Sequence, residues 1–89
     1  MAAKKQDPRV AFGNAVRSLR AQRGISQERL ADIAGIHRTY IGDVERGFRN
    51  ISLVNMGKLA TALGVSLSRV IQEMEKILAS ENKNPPKRV

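Results

Sequence analysis

The stretch from Gly24 to Gly47, GISQERLADIAGIHRTYIGDVERG, constrains the fold more than any other part of the chain. Glycines at 24, 35 and 47 divide it into two short pieces, each with apolar residues at helical spacing. Helices shorter than about a dozen residues are marginal on their own. The stretch therefore predicts two short helices that are joined by a tight turn and held in place by the rest of the chain.

Composition limits the chain to one small domain. It has 89 residues, of which 42% are hydrophobic and only 3% aromatic, which fits small helices better than a β-sandwich. There is no cysteine and only one histidine, His37, so we expect no metal site and no other cofactor. No apolar run approaches the roughly 18 residues of a membrane span. We expect a soluble, cytoplasmic protein without a membrane partner.

The net charge of +8 suggests a polyanionic partner such as nucleic acid, although basic tails are often merely solubilising. Residues 1–9 and 81–89 each carry +2, and the middle of the chain carries the remaining +4. Within residues 26–49, however, four arginines are balanced by four acidic residues. Affinity for DNA would therefore depend on individually placed arginines and helix N-termini, with support from the tails.

Capping residues and glycines predict five helices. The expected starts are Asp7-Pro8, Ser26, a position near His37, Ser52 and Ser66, and the expected stops include Gly24, Gly35, Gly47 and Gly64. The inward residues of the fourth helix are predicted to be Leu53, Met56, Leu59, Ala60 and Leu63. The domain should span residues 7–80, between a flexible basic arm at 1–6 and a disordered tail at 81–89.

The third predicted helix has a polar outer face. Each residue of a helix turns by 100°, so with Ile41 inward, Thr39, Asp43 and Arg46 point nearly opposite. Arg38 lies in the first turn, and Gly42, between the two faces, is counted with the exposed one. Because the connecting turn contains an apolar residue, we expect it to pack on the first helix. Together these features predict a helix-turn-helix.

The segments SQERLADIAGIHRTYIGDVERG and ISLVNMGKLATALGVSL resemble the phage repressor and Cro type of DNA-binding domain, the XRE family, over about residues 10–75. More narrowly, HRTYIGDVERGFRNISL looks like the controller proteins of restriction–modification systems, which are small dimeric regulators. The resemblance implies an all-α, five-helix, lambda-repressor-like fold. It also implies a sequence-specific transcriptional regulator whose partner is double-stranded DNA, and it leaves open whether RNA polymerase is blocked or contacted.

Arg38 and Thr39 match the family's base-reading positions. An arginine can donate to guanine O6 and N7, and a threonine can bond a base or press its methyl on thymine; the alternative for Arg38 is a solvated surface arginine. Asp43 also matches a base-facing position. Its carboxylate would either accept from cytosine N4 or pair with Arg46 and orient it.

A second set of residues is predicted to contact the DNA backbone or minor groove: Gln27, Tyr40, Arg46, Arg49 and Asn50. Gln27 opens the second helix, where unpaired N–H groups favour an anion, or it is a simple surface amide. Tyr40 would donate to phosphate, pack on the core, or do both. Arg49 would enter a narrow minor groove or remain an idle loop arginine.

Arg20 and Glu45 are predicted to form a structural ion pair, because family members often pair these positions between the first and third helices. Glu45 points inward, and a buried carboxylate without a partner would cost several kcal/mol. His37 is expected to cap a helix or to lie near phosphate. The chain shows no nucleophile–base pair, carboxylate dyad or phosphate-cradling glycine loop, so we do not expect an enzyme.

The fifth helix is predicted to form a symmetric dimer contact through Ile71, Met74, Ile77 or Leu78. One recognition helix reads only a few base pairs, and a two-fold dimer doubles the contact, with half-sites about one turn of DNA apart. The alternative is that these residues only seal the first helix. Two other functions stay open: an antitoxin or protein-interaction adaptor that retains the fold, and non-specific coating of nucleic acid by basic tails.

Overall fold

The computed structural model describes residues 7–81, which form five α-helices and no strand. The helices are α1 (Pro8–Arg23), α2 (Gln27–Ala34), α3 (Arg38–Glu45), α4 (Leu53–Leu63) and α5 (Leu67–Glu81). The predicted all-α, five-helix fold is therefore confirmed. The predicted basic arm at 1–6 and the tail beyond residue 81 lie outside the described residues.

Most helices begin at the predicted capping residues. The side chains of Ser26, Ser52 and Ser66 each accept a hydrogen bond from the backbone N–H three residues later, at 3.0 to 3.1 Å. Asp7 accepts from the N–H of residue 9 at 2.9 Å, ahead of a proline in the first turn. In α3 the capping group is His37 Nδ1, which accepts from the N–H of residue 39 at 3.3 Å. The histidine therefore caps the helix, one of the two roles expected for it.

The core lies between the inner face of α1 and the other four helices. Its fully buried centre includes Val16, Leu30, Ile41, Leu59 and Val70. Ile36, the apolar residue in the turn between α2 and α3, packs against this core, as expected for a helix-turn-helix. One inward assignment in α4 was wrong: Leu53 is 68% exposed, because it lies in the first turn of α4, outside the core.

Two glycines allow α1 to approach α3 and the loop that follows it. A Cβ at Gly13 would collide with the carbonyl oxygen of Val44 and lie 2.8 Å from that of Glu45. Gly47 has φ +80°, and a Cβ there would lie 2.6 Å from a methyl carbon of Val10. Because the neighbours of Gly13 are backbone atoms, the C-terminal end of α3 is fixed against α1 by main-chain contact.

Candidate nucleic-acid interface

Helix α3 turns one face to the core and the other to solvent. Ile41, Val44 and Glu45 are at most 2% exposed, whereas Arg38 and Thr39 are exposed in the first turn. Within residues 7–81 neither the Arg38 nor the Thr39 side chain makes a hydrogen bond or an ion pair. Both are therefore available to an external ligand.

Gly42 does not belong to the exposed face, contrary to the sequence interpretation. It is buried, and a Cβ at this position would lie 3.5 Å from Arg46 Nη1 and 3.9 Å from Gln27 Oε1. The Arg46 side chain folds back over the glycine, which a rotation count along the helix does not reveal. The exposed surface of α3 is thus divided between its first turn and the charged group around Asp43.

Asp43 is at the centre of a cluster formed with Arg46 and Arg49. One carboxylate oxygen, Oδ1, lies 2.7 Å from Arg46 Nη2, and the other, Oδ2, lies 3.3 Å from Arg49 Nη2. The guanidinium of Arg46 is 5.1 Å from the ring centre of Phe48, and that of Arg49 is 4.8 Å from the ring centre of Tyr40. Such stacking is attractive and helps to hold each arginine. We call Asp43, Arg46 and Arg49 the Asp43 cluster.

Sequence reasoning found only part of this cluster. The Asp43–Arg46 pair has the helical spacing of three residues and was one of the two alternatives considered. The contact of Arg49 with Asp43 and both arginine–ring contacts were missed, because they depend on the path of the loop after α3. The one available signal was the position of two aromatic residues, Tyr40 before both arginines and Phe48 between them.

The other residues expected to contact the DNA backbone differ in how far their polar groups are already bonded within the protein. Tyr40 is half-buried, and its hydroxyl accepts from Asn55 Nδ2 at 3.2 Å, which leaves the hydroxyl proton available. Gln27 Nε2 donates to Glu45 Oε1 at 2.9 Å, so its amide is partly committed inside the protein. Asn50 is exposed in the loop between α3 and α4. A phosphate at Gln27 would therefore use the second amide hydrogen or the backbone N–H groups of the α2 N-terminus.

Behind the interface, Glu45 is held by donors from two other segments. Arg20 Nε lies 2.7 Å from Glu45 Oε2, Arg20 Nη2 lies 3.0 Å from Oε1, and Arg17 Nε lies 3.6 Å from Oε1. Arg20 also donates to the carbonyl of Ile25 at 3.0 Å. Together with the bond from Gln27, these contacts join α1, the start of α2 and the end of α3. We call this group, Arg20, Gln27 and Glu45, the Glu45 brace.

The electrostatics of the brace favour the charged state. Burial by itself would raise the pKa of the Glu45 carboxyl, but hydrogen bonds from Arg20 and Gln27 and the charges of Arg20 and Arg17 outweigh it, so the pKa is lowered. The pKa of Arg20 is raised by its bond to Glu45. Both groups are therefore ionised at neutral pH, and the brace acts on the orientation of α3 from the side away from its exposed face.

The apolar residues of α5 that were expected at a dimer contact are half-buried in the monomer. Ile71, Met74 and Ile77 are half-buried and pack against the monomer core, and Leu78 is half-buried without packing on that core. The large apolar side chains that are clearly exposed lie elsewhere, at Ile33, Phe48, Leu53 and Val54. Both uses expected of this helix, closing the core and offering a dimer contact, thus remain compatible with its residues.

The part of the chain that the structure describes contains no group of three or more histidine, cysteine or acidic side chains placed to hold a metal ion. Among the same residues, no helix combines the length and the apolar character needed to cross a membrane.

Comparison with known proteins places this geometry in a family. Residues 16–70 match the family model described as helix-turn-helix. The chain is 52% identical over 58 residues to control protein C.BamHI of Bacillus amyloliquefaciens, covering 64% of this chain and 72% of that protein. It is 39% identical over 71 residues to control protein C.MunI of a Mycoplasma species, covering 79% and 96%.

A solved structure agrees with these relatives. The restriction-modification controller protein C.AhdI from Aeromonas hydrophila superposes with a TM-score of 0.68 and 52% sequence identity, over 70% of this chain and 94% of that one. The clp gene regulator ClgR from Corynebacterium glutamicum superposes with a TM-score of 0.86 and 29% identity, over 90% and 85%.

Proposed function

The chain belongs to the helix-turn-helix family of DNA-binding transcription regulators, and from that premise we propose that it controls the genes of a restriction–modification system. It would bind a two-fold symmetric operator as a homodimer. The observation that carries the proposal is the exposed first turn of α3, where the side chains of Arg38 and Thr39 have no hydrogen-bond or ion-pair partner among residues 7–81. Similarity to the control proteins supports the role in restriction–modification.

In this proposal Arg38 and Thr39 read bases in the major groove. The guanidinium of Arg38 donates to guanine O6 and N7, and Thr39 contacts the neighbouring base through its hydroxyl or methyl. Asp43 lies on the same side of α3, where its carboxylate either accepts from cytosine N4 or orients Arg46, with which it is paired without DNA. The Glu45 brace touches no base, and it fixes the angle at which α3 enters the groove.

Contacts with phosphate set the register of the protein on the duplex. We assign them to residues within and around α3: Gln27, Tyr40, Arg46, Arg49 and Asn50. The tyrosine retains a hydroxyl proton for a phosphate, and the two arginines place positive charge beside α3 although segment 26–49 is neutral as a whole. The dimer contact is assigned to α5, through Ile71, Met74, Ile77 or Leu78.

The regulatory mechanism is occupancy of DNA in the cytoplasm, where the protein catalyses no reaction. When it is bound near a promoter, it either blocks RNA polymerase or contacts it. An adaptor that binds another protein through α3 is less well supported, because the outward face of α3 has no exposed large apolar side chain. A protein partner at this position would need such a patch.

Selection of bound duplexes from a random pool tests the proposal. We expect a two-fold symmetric consensus with half-sites about one helical turn apart. Arg38→Ala should lose about 1–3 kcal/mol on that consensus and relax the preference at one position of each half-site. Lys58→Ala is the matched control, because it removes an exposed cation of α4 that forms no ion pair in the described chain. Equal losses on the consensus and on random DNA would refute base reading by Arg38.

A further inference from the structure

The Asp43 carboxylate offers the arginines of the interface the same kind of partner that a DNA phosphate would. Each of its oxygens receives one guanidinium, Arg46 at 2.7 Å and Arg49 at 3.3 Å. A carboxylate and the non-bridging oxygens of a phosphodiester each present two anionic oxygens, which arginine recognises through charge-assisted hydrogen bonds. Two of the positive charges nearest to the recognition helix are therefore already partnered in the protein without DNA.

From this geometry we propose that Asp43 is a specificity-determining residue, an internal substitute for phosphate that withholds Arg46 and Arg49 from non-specific DNA. The inference rests on the proposed function, because it concerns how the same surface discriminates an operator from other sequences. It gives Asp43 a role opposite to that of a base reader. A base reader increases affinity for the operator, whereas the Asp43 cluster lowers affinity for DNA of other sequences.

The physical argument starts from how non-specific binding works. Affinity for random DNA comes almost entirely from the number of phosphates that the protein neutralises. An arginine bound to Asp43 can reach a phosphate only by giving up an existing partner, so its net gain is small. The ring contacts of Phe48 and Tyr40 hold both guanidinium groups close to the carboxylate and increase this cost.

The operator complex differs because base contacts bring α3 deeper into the groove. Contacts made by Arg38 and Thr39 with matching bases fix the distance between the duplex and the loop after α3. At that distance both arginines face phosphates in a defined register, and the exchange from Asp43 to phosphate is supported by the base contacts. Asp43 therefore weakens binding to random DNA more than binding to the operator.

Asp43→Asn tests this inference, since the change keeps the size of the side chain and removes its charge. We expect its affinity for a random duplex to rise roughly three- to tenfold, the range set by releasing two partly exposed ion pairs. For the random duplex, the slope of the logarithm of the binding constant against the logarithm of the salt concentration should become steeper by about 1.8. This is about 0.9 for each arginine that gains a phosphate. Affinity for the consensus selected by the wild type should change less than about threefold. The discrimination ratio, which is the affinity for the consensus divided by the affinity for the random duplex, therefore falls. Asp43→Glu, which retains the charge, should keep a ratio close to that of the wild type.

Asp32→Asn is the matched control. Asp32 is an exposed acid of α2 whose side chain has no hydrogen-bond or ion-pair partner in residues 7–81, so the variant has the same net charge without releasing an arginine. An equal gain on random DNA in the Asp32 variant would overturn the inference, because general charge would then explain it. So would a selective loss of consensus binding in the Asp43 variant, which is the behaviour of a base reader.

The failure of the inference can be told apart from the failure of the proposed function. A wild-type protein that discriminates, together with an unchanged ratio in Asp43→Asn, overturns the Asp43 cluster alone. A wild-type protein that selects no consensus overturns the proposed function, and the cluster as a specificity device falls with it. Circular dichroism establishes that each variant is folded, and Asp43→Ser takes the place of the asparagine variant if that one unfolds.

Discussion

Replacing Arg20 with methionine should remove a large part of the stability of the domain. Methionine retains most of the aliphatic length but leaves the Glu45 carboxylate, whose side chain is fully buried, without its guanidinium. Removing one partner of a buried ion pair typically costs about 3–5 kcal/mol. Gln27 and Arg17 remain near the carboxylate, and the Arg20 side chain is 18% exposed, so we expect a loss near the lower end, about 3 kcal/mol.

Urea denaturation followed by circular dichroism measures this loss. Domains of this kind have a free energy of unfolding of about 5–15 kcal/mol, so the variant should remain folded but with a clearly lower urea midpoint. In thermal melts a loss of about 3 kcal/mol corresponds to a fall in Tm of about 12–24 °C for a domain of this size. Arg29→Met is the control, because this exposed arginine of α2 has no ion pair in the described chain.

The pH dependence supplies an independent check on the same brace. The pKa of Glu45 is lower in the folded protein than its ordinary value of 4.5, so the folded state binds fewer protons there than the unfolded state. Its contribution to stability is therefore complete above about pH 4.5 and is lost as the pH falls through the lower folded pKa. Arg20→Met should show a weaker loss of stability on acidification. A cost below about 1 kcal/mol, or the same cost in Arg29→Met, would refute the reasoning.

Three further outcomes follow from the structure. Gly13→Ala should destabilise the fold by about 1–3 kcal/mol, because the new Cβ meets backbone carbonyl oxygens of α3. Gly57→Ala has open space around the new methyl and should stabilise the fold by up to about 1 kcal/mol. The urea midpoints of the two variants measure both effects. Arg49→Ala should flatten the salt dependence of operator binding by about one unit, and an unchanged slope in binding titrations would remove it from the phosphate contacts. Leu78→Lys should give monomers at micromolar concentration by light scattering if α5 forms the dimer contact, while Leu53→Lys, on the exposed start of α4, should leave the mass unchanged.

Much of this fold is predictable because its signals are local. A serine that accepts a backbone N–H three residues later depends only on its own helix, and so does a glycine that ends one. The inward direction of Glu45 also follows from the 100° rotation of a helix, and a buried carboxylate then requires a cation. The sequence could not supply the path of the loop after α3, so the contact of Arg49 with Asp43 was missed. The assignment of Gly42 to the exposed face was wrong because the Arg46 side chain folds back over it.

Dimerisation is hardest to predict because the same residue types close a core and form an interface. Along α5, Val70 is fully buried, and the helical rotation carries Ile77 to nearly the same side, whereas Leu78 is turned by about 80° from it. Ile71, Met74 and Ile77 pack on the core, but Leu78 does not, although it is half-buried. A charge at Ile77 would therefore disturb the monomer together with any dimer. Of the four residues, only Leu78 can take part in a dimer contact without also closing the monomer core. A substitution at Leu78 therefore tests an interface on α5 without unfolding the domain.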